Sequence, residues 1–136
     1  MPQKTPRVAL LIESSREYGR RLLHGVIRYL REHGPWLLDF RPAGLTELSG
    51  TRLRDWRGDG ILVRAATRRF ADAVAQSGLP AVELRFATLD LRLPAVGIDN
   101  AAIAELAFRH LRDCGFRNFA FCGLPPRENI WSDFRG

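Results

Sequence analysis

The feature that most constrains the fold is a repeated alternation between short apolar runs and longer segments with helical spacing. Residues 8–12 form a continuous apolar run, which is typical of a strand covered on both faces. Between residues 18 and 33 apolar side chains recur at helical spacing, and Gly34-Pro35 ends that segment. The alternation continues to about residue 122. It predicts an α/β fold, a doubly wound parallel sheet with right-handed crossovers and helices on both faces.

The remaining predicted elements follow from the same pattern. A helix is predicted from Thr67 to a stop at Gly78, and a second one begins at Asn100 and closes at Cys114-Gly115. Further strands are predicted over residues 36–40, 60–63, 79–84, 93–98 and 118–122. Residues 130–134 resemble the first turns of an uncapped helix, which indicates that the chain stops within a domain.

Composition and charge exclude several classes of protein. The net charge is +6, but Lys4 is the only lysine and the arginines are spread along the chain, so no clustered nucleic-acid footprint is predicted. No apolar run approaches the roughly 20 residues of a membrane helix, and the start lacks the features of a signal peptide. A cytoplasmic protein with no membrane partner is expected. Cys114 and Cys122 form no metal-binding motif, so neither metal nor cofactor is predicted.

Enzyme motifs are also missing from the sequence. It contains no glycine-rich phosphate loop of the dinucleotide or nucleoside-triphosphate type and no GxSxG nucleophile elbow. A phosphate-receiving signalling domain would have paired carboxylates after the first strand and another after the third, where this chain has only Glu13 and then Arg64. We therefore expect no catalytic residues.

Polar residues follow the predicted strands at the place where open parallel sheets bind ligands, beyond their carboxyl ends. Carboxylate, amide, hydroxyl and guanidinium groups suit sugar hydroxyls, and an aromatic face suits the C–H side of a sugar ring. Most parallel-sheet domains carry polar residues at these ends, so the inventory alone is not specific. Its members are Glu13, Ser14, Ser15, Arg16, Tyr18, Arg64, residues 83–86, Asp99, Asn100, Gly123 and Leu124.

A resemblance to a known family narrows the function. Residues 96–100, 101–115 and 116–125 resemble the sensor domain of the lactose/galactose-repressor family, whose fold is that of type I periplasmic sugar-binding proteins. Residues 9–26, together with Asp55-Trp56, the turn at 58–61 and residues 119–125, are similar to the xylose-operon type of regulator. That type joins this sensor to a C-terminal AraC-type DNA-binding domain. The resemblance covers essentially the whole chain through the order and spacing of its motifs.

The resemblance implies a domain organisation and a set of partners. Residues 1–116 would form an incomplete N-terminal lobe and residues 117–136 the start of a truncated C-terminal lobe, with a hinge at 115–118. The ligand would be a small sugar, a pentose such as xylose. DNA would be bound only through a domain outside this chain, and the full protein would be a homodimer.

The resemblance also implies ligand contacts, and for most of these residues a purely structural role is an alternative. The implied ligand-binding residues are Ser15, Arg16, Tyr18, Asp99, Asn100 and Arg135. Asp99 would equally serve as a helix cap, Tyr18 as a hydrophobic staple at a helix start, and Arg16 and Arg135 as surface charges. A member of the family has asparagines after the first strand, where this chain has Glu13 and Ser15.

Two other classes of function remain possible on the same fold. One is the binding protein of a sugar transport system, and the other is a sugar-processing enzyme. A signal peptide encoded upstream would favour the first, whereas turnover of a sugar, abolished by Asp99→Asn, would favour the second.

Overall fold

The sheet predicted from the sequence is present in the computed structural model, which describes residues 4–40, 42, 53, 56–65, 67–85 and 93–122. Four strands are arranged in the order β2-β1-β3-β4, and all their pairings are parallel. The strands are β1 (Arg7–Leu11), β2 (Leu37–Phe40), β3 (Gly60–Val63) and β4 (Ala81–Glu83). The helices are α1 (Glu17–His33), α2 (Arg68–Gln76) and α3 (Asn100–Asp113).

The two faces of the sheet are covered by different helices. Val8, Leu10 and Ile12 form a buried cluster with residues of α1 on one face. Ala9, which lies between them in the sequence, faces the opposite cluster, where α2 contributes buried apolar side chains. Because successive side chains of a strand point to opposite faces, an unbroken apolar run is what a strand covered on both sides requires. The α/β doubly wound parallel class is confirmed.

Helix boundaries follow from local signals. The hydroxyl of Thr67 accepts a hydrogen bond from the backbone N–H of Phe70 at 3.2 Å and so caps the start of α2. Gly34 follows α1 with a φ of 110°, and Gly78 follows α2 with a φ of 68°. Both values lie in a region that glycine adopts without a Cβ clash, so the predicted stops at these residues are confirmed.

The chain divides into two compact units. The first comprises Met1–Arg85 and Leu89–Val96, and the second comprises Phe86–Thr88 and Gly97–Gly136. All four strands lie in the first unit, and α3 lies in the second. The boundary between the two compact units, after Val96, thus precedes the hinge that the resemblance implies at 115–118. That hinge stays a prediction.

Two predicted strands differ in the structure. Residues 93–98 contribute only an isolated parallel bridge between Ala95 and Glu83, and residues 118–122 form no strand. A strand exists only where a neighbouring strand satisfies its backbone groups. Residues 97–122, the described part of the second unit, contain no other strand to pair with 118–122. Residues 119–122 do form an apolar run, as the sequence shows. Whether such a run becomes a strand depends on a pairing partner, which the run itself does not specify.

The described helices do not include one with the length and apolar character needed to cross a bilayer.

Candidate functional site

Three charged residues follow three neighbouring strands at the carboxyl edge of the sheet. Glu13 lies two residues beyond β1, Arg64 directly follows β3, and Glu83 ends β4. All three are buried, with exposed fractions of 0%, 8% and 1%. Because β1, β3 and β4 are adjacent and parallel, these side chains meet at the edge where such folds bind ligands. We call these three residues the strand-tip cluster.

Glu13 accepts three hydrogen bonds within and around the strand-tip cluster. Its Oε1 accepts a hydrogen bond from Nη1 of Arg64 at 3.1 Å, which is also a buried ion pair. Its Oε2 accepts from the hydroxyl of Ser15 at 2.8 Å and from the backbone N–H of Arg16 at 3.1 Å. A carboxylate withdrawn from water needs such partners on both oxygens. The same contacts fix the loop that carries Ser15 and Arg16.

Gly19 allows the first turn of α1 to approach Glu13. A Cβ at Gly19 would overlap the backbone carbonyl oxygen of Glu13 and lie 3.2 Å from its Oε1. Since backbone cannot move aside as a flexible side chain can, only glycine fits here. The close approach brings the loop between β1 and α1 over the strand tips.

Glu83 is held differently from Glu13. Its two carboxylate oxygens each lie 3.2 Å from the backbone N–H of Ala65, which donates to them. Burial raises the pKa of Glu83 to about 7, against the opposing effects of that N–H and of the charges of Arg85 and Arg64. Burial thus favours the neutral form of the Glu83 carboxyl more than water would.

The two arginines of this edge are both withdrawn from water. Burial lowers the pKa of Arg64, although the charge of Glu13 opposes the shift. Burial also lowers the pKa of Arg85 to about 10, and repulsion from Arg64 adds to the shift. The Arg64 guanidinium carbon lies 5.0 Å from the centre of the Tyr18 ring, a cation–π contact. Its Nε is buried and has no hydrogen-bond partner among the described residues.

The structure brings three of the predicted ligand-binding residues to this edge. Ser15 and Arg16 are exposed, and Tyr18 is half-buried against Arg64. Ser15 and the backbone of Arg16 also bind Glu13, so their positions are fixed from inside the protein. Whether they touch a ligand remains a prediction.

The other predicted ligand-binding residues lie elsewhere in the chain. Asp99 and Asn100 belong to the second unit, where Asn100 is the first residue of α3. The carboxylate of Asp99 accepts a hydrogen bond from the backbone N–H of Ala102 at 2.9 Å, so Asp99 is the N-cap of α3. The capping role is thus present, and ligand contact by either residue stays a prediction. Arg135 lies outside the described residues.

The sequence analysis predicted that Glu13, Arg64 and Glu83 lie at the ends of strands. It did not include them among the ligand-binding residues. Each member follows an apolar run, which is a detectable signal for a buried charge at a strand end. What the sequence does not show is that Glu13 pairs with Arg64, 51 positions away.

A separate apolar groove lies between α1 and β2. It has a volume of about 250 Å³ and is lined mostly by hydrocarbon side chains, which cannot satisfy the hydroxyls of a sugar. Its lining residues are Leu10, Arg20, Leu23, His24, Ile27, Leu38 and Phe40. The strand tips are therefore the better candidate for a polar ligand. The described residues contain no group of three or more side chains suited to holding a metal ion.

Comparison with known proteins finds similar sequences and a similar solved structure. The chain is 28% identical over 127 residues to the xylose operon regulatory protein of Escherichia coli K12, and equally so to that of Escherichia coli O157:H7. A solved structure of a xylose-binding transcription activator, XylR, matches with a TM-score of 0.78 and 26% identity over 99% of this chain. No family model matches the chain.

These matches include most of this chain but only part of each relative. The aligned region includes 90% of this chain but only 32% of the curated relatives, and 34% of the solved structure. The chain thus spans about a third of the length of the proteins that it matches. It is homologous to the xylose operon regulatory proteins over that third.

Proposed function

We propose that this chain is the ligand-sensing lobe of a bacterial transcription regulator and binds a small sugar beyond the tips of β1, β3 and β4. The observation that carries the proposal is the homology to xylose operon regulatory proteins over 90% of the chain. The fixed polar edge supports it, because parallel sheets bind ligands there. A pentose such as xylose is the proposed class of ligand. The named relatives are regulators rather than enzymes, and we propose no catalytic activity.

The proposed binding mode assigns different roles to the residues of the first unit. The hydroxyl of Ser15 and the guanidinium of Arg16 would bind sugar hydroxyls, and the Tyr18 ring would pack on the C–H face of the sugar. Their loop is already fixed by Glu13, so little conformational entropy is lost on binding. Asp99, Asn100 and Arg135 would complete the site as the resemblance implies.

The proposed mechanism couples the sugar to DNA through a change of conformation. Residues 1–116 would form one lobe and residues 117–136 the beginning of another, with the sugar between them. A ligand that binds the closed form better than the open form shifts the population toward closure. In a homodimer that shift would alter the spacing of two DNA-binding domains encoded beyond this chain. We propose that the protein acts in the cytoplasm.

The test uses the full-length protein encoded by the reading frame that contains this chain. Affinity for DNA from its own promoter region is measured by gel shift with and without xylose, and xylose affinity is measured by calorimetry. We expect saturable sugar binding that changes DNA affinity, and Tyr18→Ala should weaken both effects roughly tenfold or more through the lost packing surface. The matched control is Tyr29→Ala, since Tyr29 is an exposed aromatic residue in the C-terminal half of α1.

The same assays separate the alternatives. Sugar binding without any DNA binding would favour a transport protein, and chemical conversion of the sugar would favour an enzyme. Either result would contradict the proposed function.

A further inference from the structure

A buried carboxylate supports the exposed loop between β1 and α1. Glu13 is 0% exposed, whereas Ser15 is exposed. The hydroxyl of Ser15 donates a hydrogen bond to Oε2 of Glu13 at 2.8 Å. The backbone N–H of Arg16 and Nη1 of Arg64 also donate to this carboxylate. All three hydrogen bonds thus have the same direction, with the carboxylate as the acceptor.

The direction of the hydrogen bond from Ser15 decides what this side chain offers to a ligand. A serine hydroxyl has one proton to donate and two lone pairs with which to accept. The proton of Ser15 is directed inward at Glu13. Turning it outward would break a charge-assisted hydrogen bond and remove a partner from a buried carboxylate, which is costly. Ser15 therefore meets a ligand with its lone pairs, as an acceptor.

The backbone of the same loop is held by a second side chain. Nη1 of Arg20 donates to the carbonyl oxygen of Ser14 at 3.2 Å and to that of Ser15 at 3.0 Å. Nη2 of Arg20 in turn donates to the carboxylate of Glu17 at 3.1 Å. Oγ of Ser15 thus has its position and direction before a ligand arrives, which reduces the entropy lost on binding.

We propose that Ser15 is a specificity-determining residue that accepts a hydrogen bond from a hydroxyl group of the ligand. The inference rests on the proposed sugar-sensing function and adds a requirement on the ligand. The group that faces Ser15 must be a donor. A group that only accepts, such as fluorine or an ether oxygen, would bring two acceptors together and be rejected.

The test uses xylose analogues and the full-length protein. Each hydroxyl of D-xylose in turn is replaced by fluorine, and in a second series by hydrogen, and affinities are measured by isothermal titration calorimetry. Fluorine is close to a hydroxyl in size but cannot donate a hydrogen bond. Opposite an acceptor, fluorine is therefore worse than hydrogen because it adds repulsion, whereas opposite a donor it is better than hydrogen.

We expect one hydroxyl of xylose to show the signature of an acceptor in the protein. At that position fluorine should weaken binding about tenfold or more, and more than hydrogen does, because Oγ of Ser15 loses its donor and faces a second acceptor. The ligand position at which this happens identifies the hydroxyl that Ser15 reads.

Variants assign the signature to Ser15. Ser15→Ala should weaken xylose binding roughly fivefold, through one lost neutral hydrogen bond, and should reduce the fluorine penalty at that position to about twofold. Ser15→Thr keeps the hydroxyl and should keep the penalty. Ser77→Ala is the matched control and should change no affinity. The hydroxyl of Ser77 also donates to an internal acceptor, the carbonyl oxygen of Val74, but at the C-terminal end of α2.

Three results would overturn the inference and leave the proposed function intact, since xylose would still bind and change DNA affinity. Fluorine could be accepted as well as hydroxyl at every position. Fluorine could bind better than hydrogen at the position that Ser15→Ala affects, which would make Ser15 a donor. Ser15→Ala could also keep the full fluorine penalty. If xylose neither binds nor changes DNA affinity, the proposed function itself fails.

Discussion

The two compact units of the chain differ in the burial of their apolar side chains. In the first unit, Val63, Ala71 and Val74 are completely buried between sheet and helix. In the second unit none of the described residues is buried, and the apolar side chains of α3 are exposed. Examples are Leu106 at 66% and Leu111 at 41% exposure. Helix formation needs only local signals, which both units have, whereas burial needs a partner surface.

The largest expected effect comes from truncating one phenylalanine in each unit. Phe70 of α2 is 4% exposed within the core, whereas Phe108 of α3 is 45% exposed. Phe70→Ala should lower the free energy of unfolding by about 3–5 kcal/mol through lost burial and the cavity left behind. Phe108→Ala should change it by about 0.5 kcal/mol or less. Urea denaturation followed by circular dichroism measures both, and equal effects would show that α3 is buried in solution.

A second comparison uses two glycines of α1. Gly19→Ala places a Cβ against the backbone of Glu13 and should destabilise the protein by roughly 1–3 kcal/mol, as overpacking does. Gly25 has no atom within 4 Å of the position that its Cβ would take. Gly25→Ala should therefore stabilise the protein by up to about 1 kcal/mol through better helix propensity. Thermal unfolding distinguishes the two signs, and a neutral Gly19→Ala would refute the close approach of α1 to the strand tip.

The pH dependence of stability tests the strand-tip cluster. Burial raises the pKa of Glu83 from 4.5 in the unfolded chain to about 7 in the folded state. The folded state thus holds this proton more tightly. The resulting stabilisation is fully present below pH 4.5 and is lost as pH rises through about 7. Glu83→Gln should remove about 1–3 kcal/mol of this pH-dependent difference between pH 5 and 8. Identical pH profiles for the two proteins would mean that Glu83 is solvated.

The first unit also shows which parts of this fold are readable from sequence. The strand at 60–63 and the helix ends at Gly34 and Gly78 were predicted correctly because apolar periodicity and glycine φ preferences act over a few residues. The strand predicted at 118–122 was wrong because pairing depends on a distant partner. The ion pair of Glu13 with Arg64 could not be predicted for the same reason. Each charged residue is recognisable after an apolar run, but the register that joins β1 to β3 is set by the folded sheet.

The smallest effects come from the two helix caps, one in each unit. Thr67 caps α2 and Asp99 caps α3. Thr67→Ala should lower the global free energy of unfolding by about 1 kcal/mol, the typical value of a lost cap. Asp99→Ala should cost a similar amount in the local stability of α3, because it removes the cap of that helix. Amide hydrogen exchange of Ile103 and neighbouring residues detects the local effect.

The Asp99 position also separates capping from ligand contact, because asparagine caps helices about as well as aspartate does. Asp99→Asn should leave exchange in α3 unchanged. If the carboxylate also contacts the ligand, as the resemblance implies, Asp99→Asn should weaken sugar binding by the full-length protein roughly tenfold, since a charge-assisted hydrogen bond becomes a neutral one. Unchanged affinity in Asp99→Asn would make Asp99 a cap and nothing more. The ligand contacts of the first unit would then rest on the residues that Glu13 and Arg64 hold in place at the strand tips.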